Sequence, residues 1–247
     1  MNSENILRIF FILTSNFFLF SNASAELVSQ DDRWESALNK DGVIIYTRDY
    51  EGSDVKAFKA ETTLNAPINN VMSVMANPHS CTEWVHGCTI SYGFDEADFN
   101  KRYAYSVNDL PWPVKDRDYV LEINTSSLPG SSQIMMEMHA VKGRKPVDDD
   151  YVRTTVAQTI YIFTPTEDNK THMLWLQHTE PAGVLPSWLV NNLLVDIPFK
   201  SIKALDNVAQ EEKYQHGVIE YDDEGVISGV RKVPPTRSEA ANPPQEK

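Results

Sequence analysis

The stretch PSWLVNNLLVDIPFKSIKALDNVAQ, residues 186–210, is more apolar in its first half than an ordinary surface helix. Apolar residues recur along it at spacings of three and four, the period of one helix face. They are Leu185, Trp188, Leu189, Leu193, Leu194, Ile197, Ile202, Leu205 and Val208. An internal proline removes a backbone hydrogen bond, so Pro198 predicts a kink near Ile197. The stretch predicts a long amphipathic helix that lies on a large apolar surface.

The first 25 residues resemble a secretory signal peptide. Arg8 precedes an apolar run at residues 9–20, and Ala23-Ser24-Ala25 forms a small-x-small cleavage site. Cleavage there would leave residues 26–247 as the mature chain, in a secreted or periplasmic location. A retained amino-terminal anchor is the alternative. No later hydrophobic run is long enough to cross a bilayer.

Composition restricts the classes of partner. The 247 residues carry a formal net charge of −13. This charge argues against nucleic acid, because binding to a phosphate backbone needs clustered Lys and Arg. It also argues against purely electrostatic adhesion to anionic membranes. The length after residue 25 suffices for one large domain or for two small ones.

Cys81 and Cys88 form a candidate disulfide, because an isolated pair in an oxidising compartment often bridges. On a continuous helix, residues seven apart are separated by about 10 Å, which is too far for a disulfide. A bridge therefore requires the chain to leave the helix between them, as Pro78 and Gly87 permit. The bridged and free states both remain open at this point.

The region before the long helix predicts an α+β fold rich in antiparallel strands. Short helices are predicted at residues 31–39 and directly after Pro67. Strands are predicted at residues 43–50, 55–64, 88–92, 102–107, 118–124, 133–141, 151–163 and 171–178. The economical arrangement is one curved antiparallel sheet folded around the last helix. The domain is predicted to span residues 26–215, followed by an acidic, Pro-rich, disordered tail at 216–247.

Motifs for catalysis are absent from the sequence. It contains no Gly-rich phosphate loop, no Gly-x-Ser-x-Gly elbow and no His-Glu-x-x-His. His79 and Cys81 are weak candidates for a nucleophile pair, because a disulfide would consume the thiol. The sequence therefore predicts no catalytic residue, no metal site and no cofactor.

Two motifs resemble a known family. They are PWPVKDRDYV at residues 111–120 and EPAGVLPSWLVN at residues 180–191. Together they resemble the START domain, the steroidogenic-acute-regulatory-protein-related lipid-transfer family, over about residues 31–210. The resemblance implies a helix-grip fold, in which a curved antiparallel sheet wraps around a long carboxy-terminal helix with an apolar tunnel between them. Within the first motif, Arg117 and Asp118 are expected to hold neighbouring loops by charge-assisted hydrogen bonds.

The resemblance also predicts where a headgroup would bind. Of the aromatic cage in phosphatidylcholine-binding members, Tyr119 alone is retained, since Ser106 and Ala157 match the other two rings. Cys81 matches the phosphate-holding arginine. The acid–arginine pair of sterol-binding members is matched by Ala104 and Ile123. Neither headgroup site is reproduced, which implies a ligand that is less polar at that end, or a different ligand altogether.

The predicted tunnel lining combines the resemblance with strand alternation. It consists of Ser106, Tyr119, Leu121, Ile123, Ile134, Met136, Met138, Ala157, Trp188, Leu189 and Leu193. On the strand at residues 102–107, simple alternation would bury Tyr103 and Tyr105. The register of the family instead turns Ala104 and Ser106 inward, and it is the one adopted.

The first hypothesis is a carrier that shields one lipid or other hydrophobic small molecule from water, with transient membrane contact. Its candidate gate is the Pro198 kink together with the loop that contains Gly183. The second is an enzyme, of cyclase or hydrolase type, that uses the same tunnel. It is disfavoured because the predicted titratable lining is Tyr119 and Arg153, without a carboxylate or histidine. The third is a lipid-sensing module that engages another protein through the acidic tail.

Overall fold

The computed structural model describes Leu27 and residues 33–95, 98–183, 185 and 187–234. For Ser187, Trp188, Asn191 and Asn192 it describes the backbone alone. The predicted signal peptide lies outside the described residues.

Twelve strands and three helices make up the described fold. The strands are β1 (Glu35–Lys40), β2 (Val43–Arg48), β3 (Ala57–Leu64), β4 (Cys88–Phe94), β5 (Lys101–Asn108), β6 (Arg117–Ser127), β7 (Ile134–Ala140), β8 (Val152–Thr154), β9 (Val156–Pro165), β10 (Thr171–Glu180), β11 (Gly217–Tyr221) and β12 (Ile227–Lys232). The helices are α1 (Ile68–Ala76), α2 (Cys81–Trp84) and α3 (Ser187–Val208). None of these helices has the length and apolarity required to cross a bilayer.

One large curved sheet dominates the molecule. Its strand order is β1-β2-β3-β10-β9-β7-β6-β5-β4, antiparallel throughout, and β8 joins it by pairing parallel with β6. Helix α3 packs against β2, β3 and α2. The predicted α+β helix-grip fold is confirmed.

Helix α3 supplies much of the core on the inner face of the sheet. Its Leu189, Ile202 and Leu205 are almost fully buried, as the three- and four-residue spacing predicts. The helix continues through Pro198, which is itself buried. Helix α1 follows Pro67, and its buried Val71 joins the same core.

The predicted helix at residues 31–39 is wrong, because Glu35–Lys40 is a strand paired with β2. Asp41 and Gly42 both have positive φ, 50° and 78°, and connect the two strands as a two-residue hairpin turn. An Asp-Gly pair is one of the strongest hairpin signals, since both positions of this turn need positive φ. The helix predicted up to residue 39 did not take this signal into account.

The predicted single strand at residues 151–163 is divided into β8 and β9. Strand β7 pairs with Leu121–Ser127 of β6 and leaves the first residues of β6 without an antiparallel neighbour on that side. Strand β8 fills this position, with Arg117 opposite Val152 and Asp118 opposite Arg153. The chain then crosses to pair β9 with β7 and β10.

The predicted disorder from residue 216 is wrong for residues 217–232, which form the β11–β12 hairpin. The hairpin packs against α1 and β6. Ile227 is 1% exposed, and its backbone N–H donates to Ser127 Oγ at 2.9 Å. The side chain of Asn100 donates to the Ile227 carbonyl at 2.7 Å. Residues 235–247 of the predicted tail lie outside the described residues.

Candidate ligand-binding site

A cavity of about 250 Å³ lies between the inner face of the sheet and the α1–α2 segment. Strand alternation supplies its floor, because inward-facing residues of β5, β6 and β7 lie side by side. They are Ala104, Ser106, Leu121, Ile123, Met136 and Met138. Trp84, Tyr161 and residues of the α1–α2 segment and of β4 contribute to the rest of the wall. A more open cleft of about 680 Å³ lies at the surface between residues 52–55 and residues 180–183. Of the two more enclosed spaces, the one on β5, β6 and β7 is the larger, and we refer to it as the large cavity.

A second cavity, of about 90 Å³, lies beneath the first half of α3. Leu193, Leu194 and Ile197 of that helix line it, together with Phe58 and Tyr119. Its remaining wall is more polar and includes His86, Asp109, Arg117, Gln177 and Thr179. We refer to this space as the small cavity.

The segment after α2 separates the two cavities. Val85 lines the large cavity, and the next residue, His86, lines the small one. Trp84 makes edge-on contacts with Tyr161 and Trp175, with ring centroids 6.1 and 6.0 Å apart. Because Trp84 is 5% exposed and the aromatic rings interlock, the wall is a packed part of the core.

A disulfide closes the loop that carries this wall. The structure joins Cys81 and Cys88, with Cα atoms 5.9 Å apart. Helix α2 ends at Trp84, and Gly87 turns the chain with a φ of 86°. The chain thus leaves the helix between the cysteines, as a bridge requires. The thiol of Cys81 is consumed, so it does not form a nucleophile pair with His79.

Two hydroxyl groups face the large cavity without a protein partner. Tyr161 is 4% exposed and Ser106 is 7% exposed. Within the part of the chain that the structure describes, neither hydroxyl forms a hydrogen bond with protein, and both residues line the cavity. Burial raises the pKa of Tyr161, which keeps its hydroxyl neutral. Because both residues border the cavity, each hydroxyl is a position where a ligand atom can complete a hydrogen bond.

Arg102 also lines the large cavity, although the sequence analysis did not single it out. It precedes Ala104 and Ser106 by two and four residues on β5, so the same alternation that turned those residues inward would have found it. Its guanidinium donates to the Phe99 carbonyl at 2.8 Å and to the Met75 carbonyl at 3.4 Å. Burial lowers its pKa to about 10, so it remains charged at neutral pH.

Arg117 holds the loop that leads into α3. Its side chain is 3% exposed, and it donates Nε to the Pro181 carbonyl and Nη2 to the Ala182 carbonyl, both at 2.7 Å. A third hydrogen bond reaches the carbonyl of Lys115. Burial lowers the pKa of Arg117. Since Pro181 lines the small cavity, Arg117 positions one of its edges.

Arg153, named above as a titratable lining residue, lines neither cavity. It forms a two-pronged ion pair with Asp118, Nε to Oδ1 at 3.0 Å and Nη2 to Oδ2 at 2.7 Å. Tyr105 donates to the same carboxylate at 3.2 Å. Asp118 is fully buried. The pair joins β8 to β6 and is part of the scaffold.

Comparison with known proteins identifies the family. The sequence profile of the START domain matches residues 22–214. The chain belongs to the START domain family. An uncharacterized protein of Pseudomonas aeruginosa is 26% identical over 208 residues, which cover 84% of this chain and 99% of that protein.

Two solved structures share the architecture. A STAR-related lipid transfer protein from Xanthomonas axonopodis is 28% identical with a TM-score of 0.66, covering 73% of this chain and 100% of that one. Human STARD10 is 20% identical with a TM-score of 0.66, covering 77% of this chain and 78% of that one. The likeness to the human protein shows the fold alone.

The inner face of this START domain receives most of the predicted lining. Ser106, Leu121, Ile123, Met136 and Met138 line the large cavity, and Tyr119 and Leu193 line the small one. The register of β5 places Ala104 in the large cavity, while Tyr105 packs with Val107 and Val120 on the opposite face. Cys81, matched above to the phosphate-holding arginine of phosphatidylcholine-binding members, lines the large cavity as half of a disulfide.

Three predicted lining residues are core residues that line neither cavity: Ile134, Ala157 and Leu189. Ile134 lies opposite Phe163 in the sheet register and packs with it, beyond the end of the large cavity. The side chain of Trp188 lies outside the described residues. Among the described residues, no group of three or more His, Cys, Asp or Glu is placed to hold a metal ion.

Replacing Tyr161 by phenylalanine should leave the apo protein about as stable as the wild type, because its hydroxyl has no hydrogen-bond partner among the described residues. Ligand affinity should fall by roughly threefold to tenfold if the ligand accepts or donates a hydrogen bond there. Thermal unfolding and ligand titration of the same samples measure the two effects. Tyr105→Phe is the matched control, since its hydroxyl binds Asp118 on the other face. Its stability should fall while its affinity stays unchanged; a loss of stability in Tyr161→Phe would contradict the assignment.

Proposed function

We propose that this START domain binds a lipid or similar hydrophobic small molecule between its sheet and α3, and carries it between membranes. The observation that supports this is the large cavity, whose floor carries the apolar side chains of Leu121, Ile123, Met136 and Met138 and whose remaining wall combines apolar residues with polar ones. Ligand pockets commonly have this composition. The similarity to the STAR-related lipid transfer protein of Xanthomonas axonopodis also supports the proposal.

A bound lipid needs more space than either cavity alone provides. At about 250 and 90 Å³, each is smaller than the 300–1,000 Å³ that is usual for ligand pockets. The wall between them is Trp84 with Val85 and His86, carried on a loop that is tied down at both ends by the disulfide. We propose that the ligand displaces Trp84 and occupies one continuous tunnel.

An enzymatic function is the weaker alternative. The small cavity contains His86 and Asp109, which the sequence analysis did not anticipate. Among the described residues, no hydrogen bond joins the His86 ring to the Asp109 carboxylate. The His86 ring instead faces Lys200, with Nε2 and Nζ 3.5 Å apart. A general base needs hydrogen-bond contact with the group that it activates, and these residues supply none. We therefore propose a carrier that performs no reaction.

The proposed location is outside the cytoplasm, in the periplasm or secreted. The signal-like sequence at residues 1–25 and the Cys81–Cys88 disulfide support it, because disulfides persist in oxidising compartments. Detection of a mature chain that begins at residue 26 in the periplasmic or secreted fraction would test the proposal.

Trp112 is the proposed point of membrane contact. It lies between two prolines in the β5–β6 loop and is 91% exposed, while Leu110 in the same loop lines the small cavity. Exposed tryptophan favours the membrane interface, and the acidic chain gains little from electrostatic attraction. The loop thus places an aromatic anchor next to a candidate entrance.

Trp112→Ala should slow lipid transfer between vesicles by roughly fivefold, because the anchor contributes apolar burial at the interface. Affinity for a ligand in solution should not change. Transfer between labelled donor and unlabelled acceptor vesicles measures the rate, and Val147→Ala, at a residue that is 67% exposed, is the matched control. Equal rates for the two variants would exclude Trp112 as the anchor.

The proposed function is tested with the delipidated mature chain, residues 26–247. Incubation with vesicles of a mixed lipid extract, followed by separation and solvent extraction, should recover about one lipid per protein. The chain should also accelerate transfer from donor to acceptor vesicles in proportion to its concentration. Uptake without transfer would favour the lipid-sensing module, and absence of uptake would exclude both.

A further inference from the structure

We propose that the ligand of the large cavity is an anionic amphiphile, whose negative group binds Arg102 while its apolar body lies along the cavity floor. The inference rests on the proposed function and specifies its ligand class. It is carried by the position and hydrogen bonds of one arginine and by the absence of a counter-charge for it among the described residues.

Arg102 lies at one end of the inward-facing residues of β5. In the sheet register it is opposite Ile123, which in turn is opposite Met138. All three line the large cavity, so the guanidinium borders an otherwise apolar strip. A molecule with a charged end and an apolar body matches this order of residues along the wall.

The guanidinium has unused donors. Its two hydrogen bonds go to the carbonyls of Phe99 and Met75, and its charged plane lies over the Phe99 ring at 4.6 Å. Arginine has five N–H donors, so about three remain for a ligand. Its fork geometry suits the paired oxygens of a carboxylate or phosphate.

The charge of Arg102 has no partner in the described part of the chain. Asp95 also lines the large cavity, but its carboxylate pairs with Arg144 at 3.3 Å. Glu122 lies on the opposite face of β6, where it pairs with Lys101 at 3.1 Å. A part-buried charge without a counter-ion costs free energy, which an anionic ligand would recover. Burial is the cause that lowers the pKa of Arg102, and the group stays cationic at pH 7 to 8.

Oleate and oleyl alcohol form the sharpest pair of probes, because they share one tail and differ in the charged end. Binding of each to the delipidated mature chain is measured by titration at pH 8. The wild type should bind oleate at least about tenfold more tightly than oleyl alcohol, since hydrogen bonds to charged groups are strong. Arg102→Gln should bind the two probes about equally, whereas Arg231→Gln should keep the preference. Arg231 is an exposed arginine on β12 that pairs with Glu220. Its replacement by glutamine removes the same charge as Arg102→Gln does.

Further measurements distinguish a phosphate from a carboxylate group on the ligand, and a second variant covers the case in which Arg102→Gln does not fold. A preference for oleoyl lysophosphatidic acid over oleate would support a phosphate group, and the reverse a carboxylate. If Arg102→Gln does not fold, Arg102→Lys retains the charge and should retain a preference for the anions. Equal affinity of the wild type for oleyl alcohol and both anions would overturn the inference and leave the proposed function standing. No binding of these probes or of mixed neutral lipids would overturn both.

Discussion

Replacing Ala104 by tryptophan should reduce ligand binding by roughly a hundredfold or more while the domain stays folded. Ala104 is on the floor of the large cavity, between Arg102 and Ser106 on the same face of β5. An indole at this position occupies the space that the apolar body of a ligand needs. Losing the burial of an apolar group as large as a leucine side chain weakens binding by about 1.5–3 kcal/mol. Titration with a fluorescent lipid measures the affinity.

The fold of Ala104→Trp should survive because the new side chain enters an existing cavity. Val147→Trp adds the same ring at a residue that is 67% exposed, outside both cavities, and is the matched control. Circular dichroism should be unchanged for both variants. Wild-type affinity in folded Ala104→Trp would show that the ligand binds elsewhere.

Asp118→Ala should lower the free energy of unfolding by about 3–5 kcal/mol, because it leaves a largely buried arginine without its counter-charge. The Asp118 carboxylate is fully buried and receives hydrogen bonds from Arg153 and Tyr105. Arg153 also donates to the carbonyls of Lys145 and Pro146. Loss of the carboxylate therefore loosens β8 and the preceding loop together. Urea unfolding measures the change.

The control for this prediction is Glu220→Ala. Glu220 also pairs with an arginine Nε, that of Arg231 at 2.6 Å, but both side chains are about half exposed. Water screens such a pair, so the change should stay below about 1 kcal/mol. Similar losses for the two variants would show that the Asp118 pair is no more important than a surface pair.

Local patterns predicted the elements that determine the fold. The three- and four-residue spacing over residues 186–210 predicted α3, and the alternation on β6 and β7 predicted which of their residues face inward. The register of β5 was correct only after the family resemblance was used. Both faces of that strand are covered, with Tyr105 on one side and Ser106 on the other, so hydrophobicity alone does not distinguish them.

Features that depend on distant contacts were missed. The hairpin at residues 217–232 is polar and short, and it is stabilised by packing on α1 and by hydrogen bonds from Asn100 and to Ser127. The wall formed by Trp84 depends on Tyr161 and Trp175, which come from other parts of the sheet. The importance of Arg102 is apparent only when Asp95 and Glu122 are seen to pair with other residues.

The strand at β1 was missed for a local reason. Residues 35–40 have weak alternation, and the register shifts between Ser36 and Leu38. Such a shift breaks the period on which the prediction depends. The Asp41-Gly42 pair is a hairpin signal that can be read from the sequence, and the structure confirms positive φ at both residues. Giving this pair more weight would have corrected the error.

Native mass spectrometry of the chain purified without detergent from its own host tests the carrier proposal most directly. We predict one discrete additional mass per protein, which extracts into organic solvent as a lipid or other apolar molecule and is absent from Ala104→Trp. A protein that is free of ligand as purified, and that takes up nothing from a mixed lipid extract, would contradict the proposal.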